Sequence, residues 1–116
     1  METFEVAIVI PAYNEEKTIE SVIKSVQPYG LVVVVNDGSI DKTSAIAEKS
    51  GALVVNHNTN QGYDSALNSG LKKAVEEKFN AVITFDADGQ HSADLLTLFI
   101  QELKNGTQLV LGVRPN

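Results

Sequence analysis

Short apolar runs without internal alternation constrain the fold of this chain most strongly. The clearest is residues 31–35, one leucine followed by four valines. A strand with one face in water alternates apolar and polar residues, whereas a strand covered on both faces by helices is apolar throughout. Residues 6–10 and 81–85 have the same character. We therefore expect these runs to be strands of a parallel sheet that lies between helices.

Segments with helical periodicity separate these runs. Ile19, Val22, Ile23 and Val26 recur at the spacing of one helix face. Strands are predicted at residues 4–10, 31–35, 52–55, 81–85 and 108–113, and helices at 15–27, 41–50, 63–78 and 93–104. The inner face of the third helix is predicted to hold Ala66, Leu67, Gly70, Leu71, Ala74 and Val75. Strict alternation of strands and helices predicts a three-layer α/β/α fold with a mostly parallel sheet and right-handed crossovers.

Composition narrows the possible functions. The 116 residues, 43% of them hydrophobic, suit one domain spanning residues 1–116. The net charge of −6 argues against a nucleic-acid surface, which needs clustered lysine and arginine, but a bound metal could still neutralise the phosphates of a nucleotide. The absence of cysteine excludes disulfides and thiolate chemistry. We expect neither a signal peptide nor a membrane span, because the N-terminus is acidic and the apolar runs are short.

Two carboxylates follow the fourth predicted strand. Asp86 and Asp88 are one residue apart, and Gln90 can add a neutral oxygen. Mg²⁺ and Mn²⁺ bind such oxygen ligands and leave positions for water and substrate phosphates. An aspartate at a strand-to-helix turn can equally cap the next helix, as Ser92 can here. The motif alone leaves both interpretations open.

Polar and aromatic residues also follow the other predicted strands. Tyr13 follows the first, Asp37 the second and Arg114 the fifth. Parallel strands end at one edge of a sheet, where α/β proteins bind ligands. There Tyr13 could offer a ring face to a base, Asp37 could accept from a base N–H, and Arg114 could meet a phosphate. Taken singly, Tyr13 could instead cover the sheet edge, and Asp37 with Gly38 could form an ordinary turn.

Several alternatives are weaker. His57 is predicted to be structural or to face solvent, and His91 is predicted to be a polar loop residue. The chain has no glycine-rich dinucleotide fingerprint, no phosphate-binding loop and no nucleophile elbow around a serine. A nicotinamide oxidoreductase, a P-loop NTPase and a serine hydrolase are therefore disfavoured.

With these motifs in order, the chain resembles the family 2 glycosyltransferases of the GT-A fold, and within them the dolichol-phosphate mannose synthase and polyprenyl-phosphate glycosyltransferase branch. The resemblance rests on motifs that span almost the whole chain: residues 10–16, residues 35–39 with Asp41 and Thr43, Asn60 and Gly62 with Ala66, Leu67 and Gly70, residues 86–91, and residues 112–114.

The resemblance implies a GDP- or UDP-linked sugar donor, Mg²⁺ or Mn²⁺, and a polyprenyl phosphate as a candidate acceptor. It implies nucleoside contacts from Pro11, Ala12, Tyr13, Glu15, Val35 and Asp37, ribose and diphosphate contacts from Asp86, Ala87 and Asp88, a metal site at Asp86, Asp88 and Gln90, and a donor contact from Arg114. It implies a cytoplasmic location, at the membrane face in a full-length protein. The catalytic base cannot be identified.

Three departures from the family pattern stand out. Asn36 replaces a usual aspartate, and Tyr63 replaces a common lysine or arginine. The chain also stops where family members continue, so we expect the donor-binding N-terminal part of a truncated GT-A fold without the acceptor-binding part. Without a late antiparallel strand of that fold, the fifth strand could close against the fourth, giving the order 3-2-1-4-5, or the edge could pair in a homo-oligomer.

Three functions remain open at this point. The first is an inverting glycosyltransferase domain that acts by direct displacement. The second is a non-catalytic nucleotide- or partner-binding module with the same fold. The third is a nucleotidyltransferase, which normally has a glycine-rich basic loop after its first strand, where this chain has Ala12, Tyr13, Asn14 and Glu15.

Overall fold

A computed structural model describes residues 5–85 and the backbone of 112–113. Asp86, Ala87, Asp88, Gln90, His91 and Arg114, together with the fourth predicted helix, lie outside the described residues. The elements are β1 (Val6–Ala12), α1 (Ile19–Val26), a 3-10 turn (Gln27–Tyr29), β2 (Leu31–Asp37), α2 (Thr43–Lys49), β3 (Leu53–His57), α3 (Tyr63–Glu76), β4 (Ala81–Phe85) and β5 (Gly112–Val113).

The five strands form one sheet in the order β3-β2-β1-β4-β5, and each neighbouring pair is parallel. The predicted fold and strand order are confirmed. β5 pairs with the end of β4 through Thr84 opposite Gly112 and Phe85 opposite Val113. Of the two arrangements considered for this edge, the described strands show the fifth strand closing against the fourth.

Side chains on successive strand residues point to opposite faces of the sheet, and each face has its own helices. One face packs on α1 and α2, through the strand residues Ile8, Ile10, Val32, Val34 and Ile83. The other face packs on α3, through Val9, Val33 and Val35 against Ala66. Both faces of the central strands are therefore covered, which explains why those strands have no polar alternation.

The strands β1 and β2 continue farther than predicted. β1 was expected to end at Ile10, yet it includes Pro11 and Ala12, which pair with β2. The last β1 residue that pairs with β4 is Val9, so Pro11 lies beyond that ladder, where a missing N–H is tolerated. β2 extends two residues past its predicted end, to Asp37.

Helix bounds also differ from the prediction. The predicted start of α1 at residue 15 is a hydrogen-bonded turn in which Ile19 N–H donates to the Glu15 carbonyl at 2.9 Å, and the helix itself begins at Ile19. The buried face of α1 is Ile19, Val22, Ile23 and Val26, as predicted. In the described part of the chain, no helix combines the length and the apolar character needed to cross a membrane.

Small residues let α3 lie close to the sheet. Its buried residues are Ala66, Gly70 and Ala74, spaced one helical turn apart. A Cβ at Gly70 would overlap Cγ1 of Val9 and lie 3.2 Å from Cγ2 of Val35. Val75 was predicted on the inner face but is 75% exposed, because one further residue turns a side chain about 100° around the helix axis.

Gly70→Ala should destabilise the protein by about 1–3 kcal/mol, because overpacking against Val9 outweighs the gain in helix propensity. Urea unfolding measures the change. The same substitution should cost less in a Val9→Ala background, where the added methyl has room. Equal costs in both backgrounds would contradict the close approach of α3 to β1.

Candidate functional site

The carboxyl ends of β2 and β3 carry polar residues in matched pairs. The parallel register places Asn36 beside Asn56 and Asp37 beside His57. Because side chains alternate along a strand, the first pair lies on the α1–α2 face and the second on the α3 face. Two separate polar networks therefore form at one edge of the sheet.

Asp37 is the centre of the network on the α3 face. Its side chain is 5% exposed, and it accepts three hydrogen bonds. The Oδ1 atom accepts from His57 Nδ1 at 2.7 Å and from Gln61 N–H at 2.9 Å, while Oδ2 accepts from Gly62 N–H at 3.0 Å. The carboxylate thus joins the end of β2 to the end of β3 and to the turn before α3.

The pKa of Asp37 follows from these contacts. Burial by itself would raise the pKa of this carboxyl, but the hydrogen bonds from His57, Gln61 and Gly62, with the coulombic effect of His57, lower it below the ordinary value of 3.8. At neutral pH Asp37 is therefore an ionised acceptor. An acceptor-only partner requires that His57 Nδ1 carry the donated proton.

His57 is held from its other side by α3. Its Nε2 atom lies 2.8 Å from the Ser69 hydroxyl. In the neutral imidazole Nδ1 donates to Asp37, so Nε2 accepts the proton of the Ser69 hydroxyl. The side chain of His57 is 9% exposed. The interpretation of His57 as structural holds, and the alternative of a solvent-facing residue does not.

The second network, on the α1–α2 face, is uncharged. Asn36 donates through Nδ2 to Asn56 Oδ1 at 2.9 Å, and the Ser44 hydroxyl of α2 donates to the same oxygen at 2.9 Å. Asn36 Oδ1 accepts from Ser39 N–H at 3.2 Å. Asn36 therefore uses both ends of its amide, one to bind β3 and the other to shape the turn after β2.

The loop after β1 is tied to the loop after β2. Asn14 has a φ of 53°, a left-handed conformation that asparagine adopts more easily than most residues. Its N–H donates to the Ser39 hydroxyl at 2.8 Å, and its Oδ1 accepts from Ile40 N–H at 2.9 Å. These two bonds fix the backbone immediately after Tyr13.

The same two loops meet again at the start of α2. Glu15 N–H donates to the hydroxyl of the fully buried Thr43 at 2.9 Å. Asp41 Oδ2 accepts from Glu16 N–H at 3.2 Å, and its Oδ1 accepts from the N–H and the hydroxyl of Thr43. Burial would raise the pKa of Asp41, but these hydrogen bonds lower it. The N-cap position of α2 is Lys42, and Asp41, one residue earlier, accepts from the N–H of Thr43, the first residue of the helix.

Gly38 lets the third loop approach the first two. Its φ is 76°, and a Cβ here would overlap the backbone of Thr59 and Asn60. Asn60 Nδ2 also donates to the Asp37 carbonyl at 3.4 Å. The loops after β1, β2 and β3 are therefore one braced unit at the carboxyl edge.

The predicted nucleoside-site residues occupy different depths of this unit. Ala12 and Val35 are buried, Pro11 is partly buried, and Tyr13 is 47% exposed at the rim. Glu15 lies in the braced loop, where its side chain accepts from the Thr18 hydroxyl at 3.2 Å. Asp37 lies beneath the turn before α3. The structure thus brings the loops that carry Tyr13, Glu15 and Asp37 together.

Four residues of this unit were assigned no role at this edge from the sequence: Asn14, Thr43, His57 and Ser69. The signal for His57 was present, because extending strands two and three by two residues each pairs it with Asp37. Ser69 could have been found by its place on α3, one residue before the buried Gly70.

The described ranges hold no cluster of three or more histidine, cysteine, aspartate or glutamate residues that could bind a metal. Asp86, Asp88 and Gln90, the predicted ligands, lie outside these ranges. The strand β4 is parallel to β1 and ends at Phe85, the residue before Asp86 in the sequence.

A family model described as glycosyl transferase family 2 matches residues 7–116. The chain belongs to glycosyl transferase family 2. Among its relatives, an uncharacterized protein of Methanocaldococcus jannaschii is 43% identical over 95% of this chain and 46% of its own length. UDP-N-acetylglucosamine–dolichyl-phosphate N-acetylglucosaminyltransferase of Methanococcus voltae is 35% identical, over 92% of this chain and 51% of its own length. The resemblance to family 2 is confirmed.

Two further comparisons agree. Dolichol-phosphate mannosyltransferase of Pyrococcus furiosus is 30% identical over 94% of this chain and 33% of its own length. Glucosyl-3-phosphoglycerate synthase of Mycobacterium tuberculosis, solved with Mn²⁺, UDP-glucose and phosphoglyceric acid, superposes with a TM-score of 0.72 at 29% identity, over 88% of this chain and 40% of that protein. This family 2 chain thus spans about half or less of the length of these relatives.

Replacing Asp37 with asparagine should lower the free energy of unfolding by about 1–3 kcal/mol at pH 7. The NH₂ group of asparagine replaces one carboxylate oxygen, so at least one of the three donors that bind Asp37 then faces another donor. The depressed pKa of Asp37 fixes the pH dependence. The stabilisation is complete above the ordinary value of 3.8 and is lost as the pH falls through the lower folded-state pKa.

The difference between the wild type and Asp37→Asn should therefore be constant above about pH 5 and shrink below about pH 4. Urea unfolding at pH 7, 5 and 3 measures it. Glu48→Gln, at an exposed position of α2, is the control and should change stability little. A difference that grows on acidification would contradict the ionised, bonded state of Asp37.

Proposed function

We propose that this chain is the donor-binding part of an inverting glycosyltransferase, which binds a UDP- or GDP-linked sugar together with Mg²⁺ or Mn²⁺. The observation that carries the proposal is the braced unit at the carboxyl edge, in a chain that belongs to family 2. Open α/β sheets bind ligands at this edge. The fold, the family and the placement of polar residues all favour the same site.

The nucleoside side of the proposed site consists of Pro11, Ala12, Tyr13, Glu15, Val35 and Asp37. Tyr13 is 47% exposed, which leaves its ring accessible to stack on a base. Asp37 is ionised and accepts three hydrogen bonds, so it can take only a donor from a ligand. Uracil and guanine present a ring N–H, which suits such an acceptor.

The phosphate side of the proposed site consists of Asp86, Ala87, Asp88 and Arg114, with Asp86, Asp88 and Gln90 holding the metal. Two carboxylates and an amide oxygen are hard ligands that fit Mg²⁺ or Mn²⁺. When bound, the ion would act as a Lewis acid toward a leaving diphosphate. The pairing of Phe85 with Val113 supports the grouping, because these residues immediately precede Asp86 and Arg114 in the sequence.

We propose a polyprenyl phosphate as the acceptor of the full-length protein, at the cytoplasmic face of a membrane. The names of the Methanococcus voltae and Pyrococcus furiosus relatives, which refer to dolichyl or dolichol phosphate, support this class of acceptor. Acceptor contacts and the catalytic base would come from polypeptide beyond the part matched here.

A rise in stability with nucleotide and metal tests the donor site. UDP or GDP with Mn²⁺ at 100 times the dissociation constant should add about 2.7 kcal/mol to the free energy of unfolding. The Mn²⁺-dependent part should vanish in Asp88→Ala and persist in Asp64→Ala, a control at an exposed position of α3. No gain with any nucleotide would refute the donor site, and formation of lipid-linked sugar would separate an enzyme from a binding module.

We further propose that the chain self-associates through its sheet edges. Within the described residues β3 is one edge, and β4 pairs with β5 only at Thr84 and Phe85. Unpaired strand edges favour association with another chain. Sedimentation should give a mass that rises with concentration, and a monomer at every concentration would refute this proposal.

A further inference from the structure

The contact of His57 with Asp37 goes beyond holding the fold together, because it determines which part of the carboxylate stays available. An ionised carboxylate has about four acceptor positions, two on each oxygen. His57 and Gln61 take both positions on Oδ1, and Gly62 takes one on Oδ2. Among the described contacts, one acceptor position therefore remains, and it is on Oδ2.

The direction of that remaining position depends on His57. The amides of Gln61 and Gly62 bind one oxygen each, so they hold the turn to the carboxylate. His57 binds Oδ1 from the neighbouring strand β3, whereas the two amides belong to the turn that follows that strand. Without this third donor, Oδ1 would regain an open acceptor position, and the plane of the carboxylate would be held by the two amides alone.

Ser69 in turn fixes the imidazole. Its hydroxyl lies 2.8 Å from Nε2, on the far side of the ring from Asp37. The chain of contacts runs from α3 through Ser69 and His57 to Asp37, and its side chains at His57 and Asp37 are at least nine-tenths buried. A buried chain of this kind has few alternative arrangements, since each would leave a polar group unpaired.

Resting on the proposed function, we propose that His57, held by Ser69, is a positioning residue for nucleobase selection. It orients Asp37 so that the remaining acceptor position on Oδ2 meets the ring N–H of uracil or guanine. Cytosine and adenine carry an unprotonated ring nitrogen at the corresponding position. That nitrogen is an acceptor and cannot donate a hydrogen bond to Oδ2 of Asp37. His57 itself does not contact the base.

The ring tautomer of His57 is a test that needs no ligand. At pH 8 in the free protein, long-range ¹H–¹⁵N NMR should show the proton of His57 on Nδ1, since Nε2 accepts from Ser69. Ser69→Ala should weaken this tautomer preference, whereas Asn68→Ala, at the adjacent exposed position of α3, should leave it unchanged. A proton on Nε2 in the wild type would overturn the proposal.

Base discrimination tests the positioning role directly. Dissociation constants with Mn²⁺ are measured by calorimetry for the matched pairs UDP and CDP, and GDP and ADP. Within the pair that it binds better, the wild type should bind the nucleotide whose base has a ring N–H, UDP or GDP, about tenfold or more tightly than CDP or ADP. This is the effect of one hydrogen bond to a charged acceptor. His57→Leu should reduce that ratio to about one, and His57→Asn, whose amide can donate in place of Nδ1, should restore most of it.

The outcomes separate the two proposals. If His57→Leu weakens both members of a pair equally and keeps their ratio, His57 is only structural and the positioning role is overturned. If the wild type binds both members equally, the positioning role fails while the donor site stands. If the wild type binds no nucleotide, the proposed function fails and the positioning role fails with it. Ser69→Ala, which retains the histidine, should lower the ratio a few-fold and covers the case that His57→Leu does not fold.

Discussion

The parallel register between β2 and β3 is the constraint on which the candidate site depends. It sets Asn36 against Asn56 and Asp37 against His57 at the last two positions of both strands. A shift of one residue would move each of these side chains to the other face of the sheet. The apolar pairs of Val33, Val34 and Val35 with Leu53, Val54 and Val55 do not by themselves oppose such a shift, because valine suits both covered faces. The polar pairs do oppose it, because a shift would separate Asn36 from Asn56 and Asp37 from His57 and leave buried polar groups without partners.

Hydrogen bonds between loops then convert this register into one rigid edge. Asn14 and Glu15 bind the loop after β2, and Asp37 binds the turn before α3. These bonds join residues that are more than 20 positions apart in the sequence, so they form only when the sheet is in place. In most of these bonds a backbone N–H donates to an oxygen of a short side chain. Short side chains have few rotamers, so such bonds restrict the loops more than contacts between long side chains would.

The sequence predicted the buried face of α1 well, because the spacing of its apolar residues is visible in one dimension. The sheet order was predicted from the resemblance to family 2 and not from spacing. The sequence did not reveal the partner of His57, because the predicted strands two and three each ended two residues before the pair that His57 forms with Asp37. It also failed for Pro11, where local propensity ended the strand and the pairing with β2 continued it. Tyr13 and Asp37 were singled out because they follow apolar runs, although both strands continue farther than predicted. The hydrogen bonds around Asp37 depend on tertiary contacts and could not be predicted.

The departure at Asn36 has a physical explanation in the same register. Asn36 lies on the α1–α2 face, opposite to Asp37, where it donates to Asn56 and accepts from Ser39. An aspartate could accept from Ser39 but could not donate, so Asn56 would have to turn its amide and lose the bond from Ser44 or share it. It would also add a second buried carboxylate beside Asp37, and like charges this close oppose each other's ionisation. The neutral residue at position 36 therefore favours the ionised state of Asp37, the state in which that carboxylate accepts bonds from the turn that precedes α3.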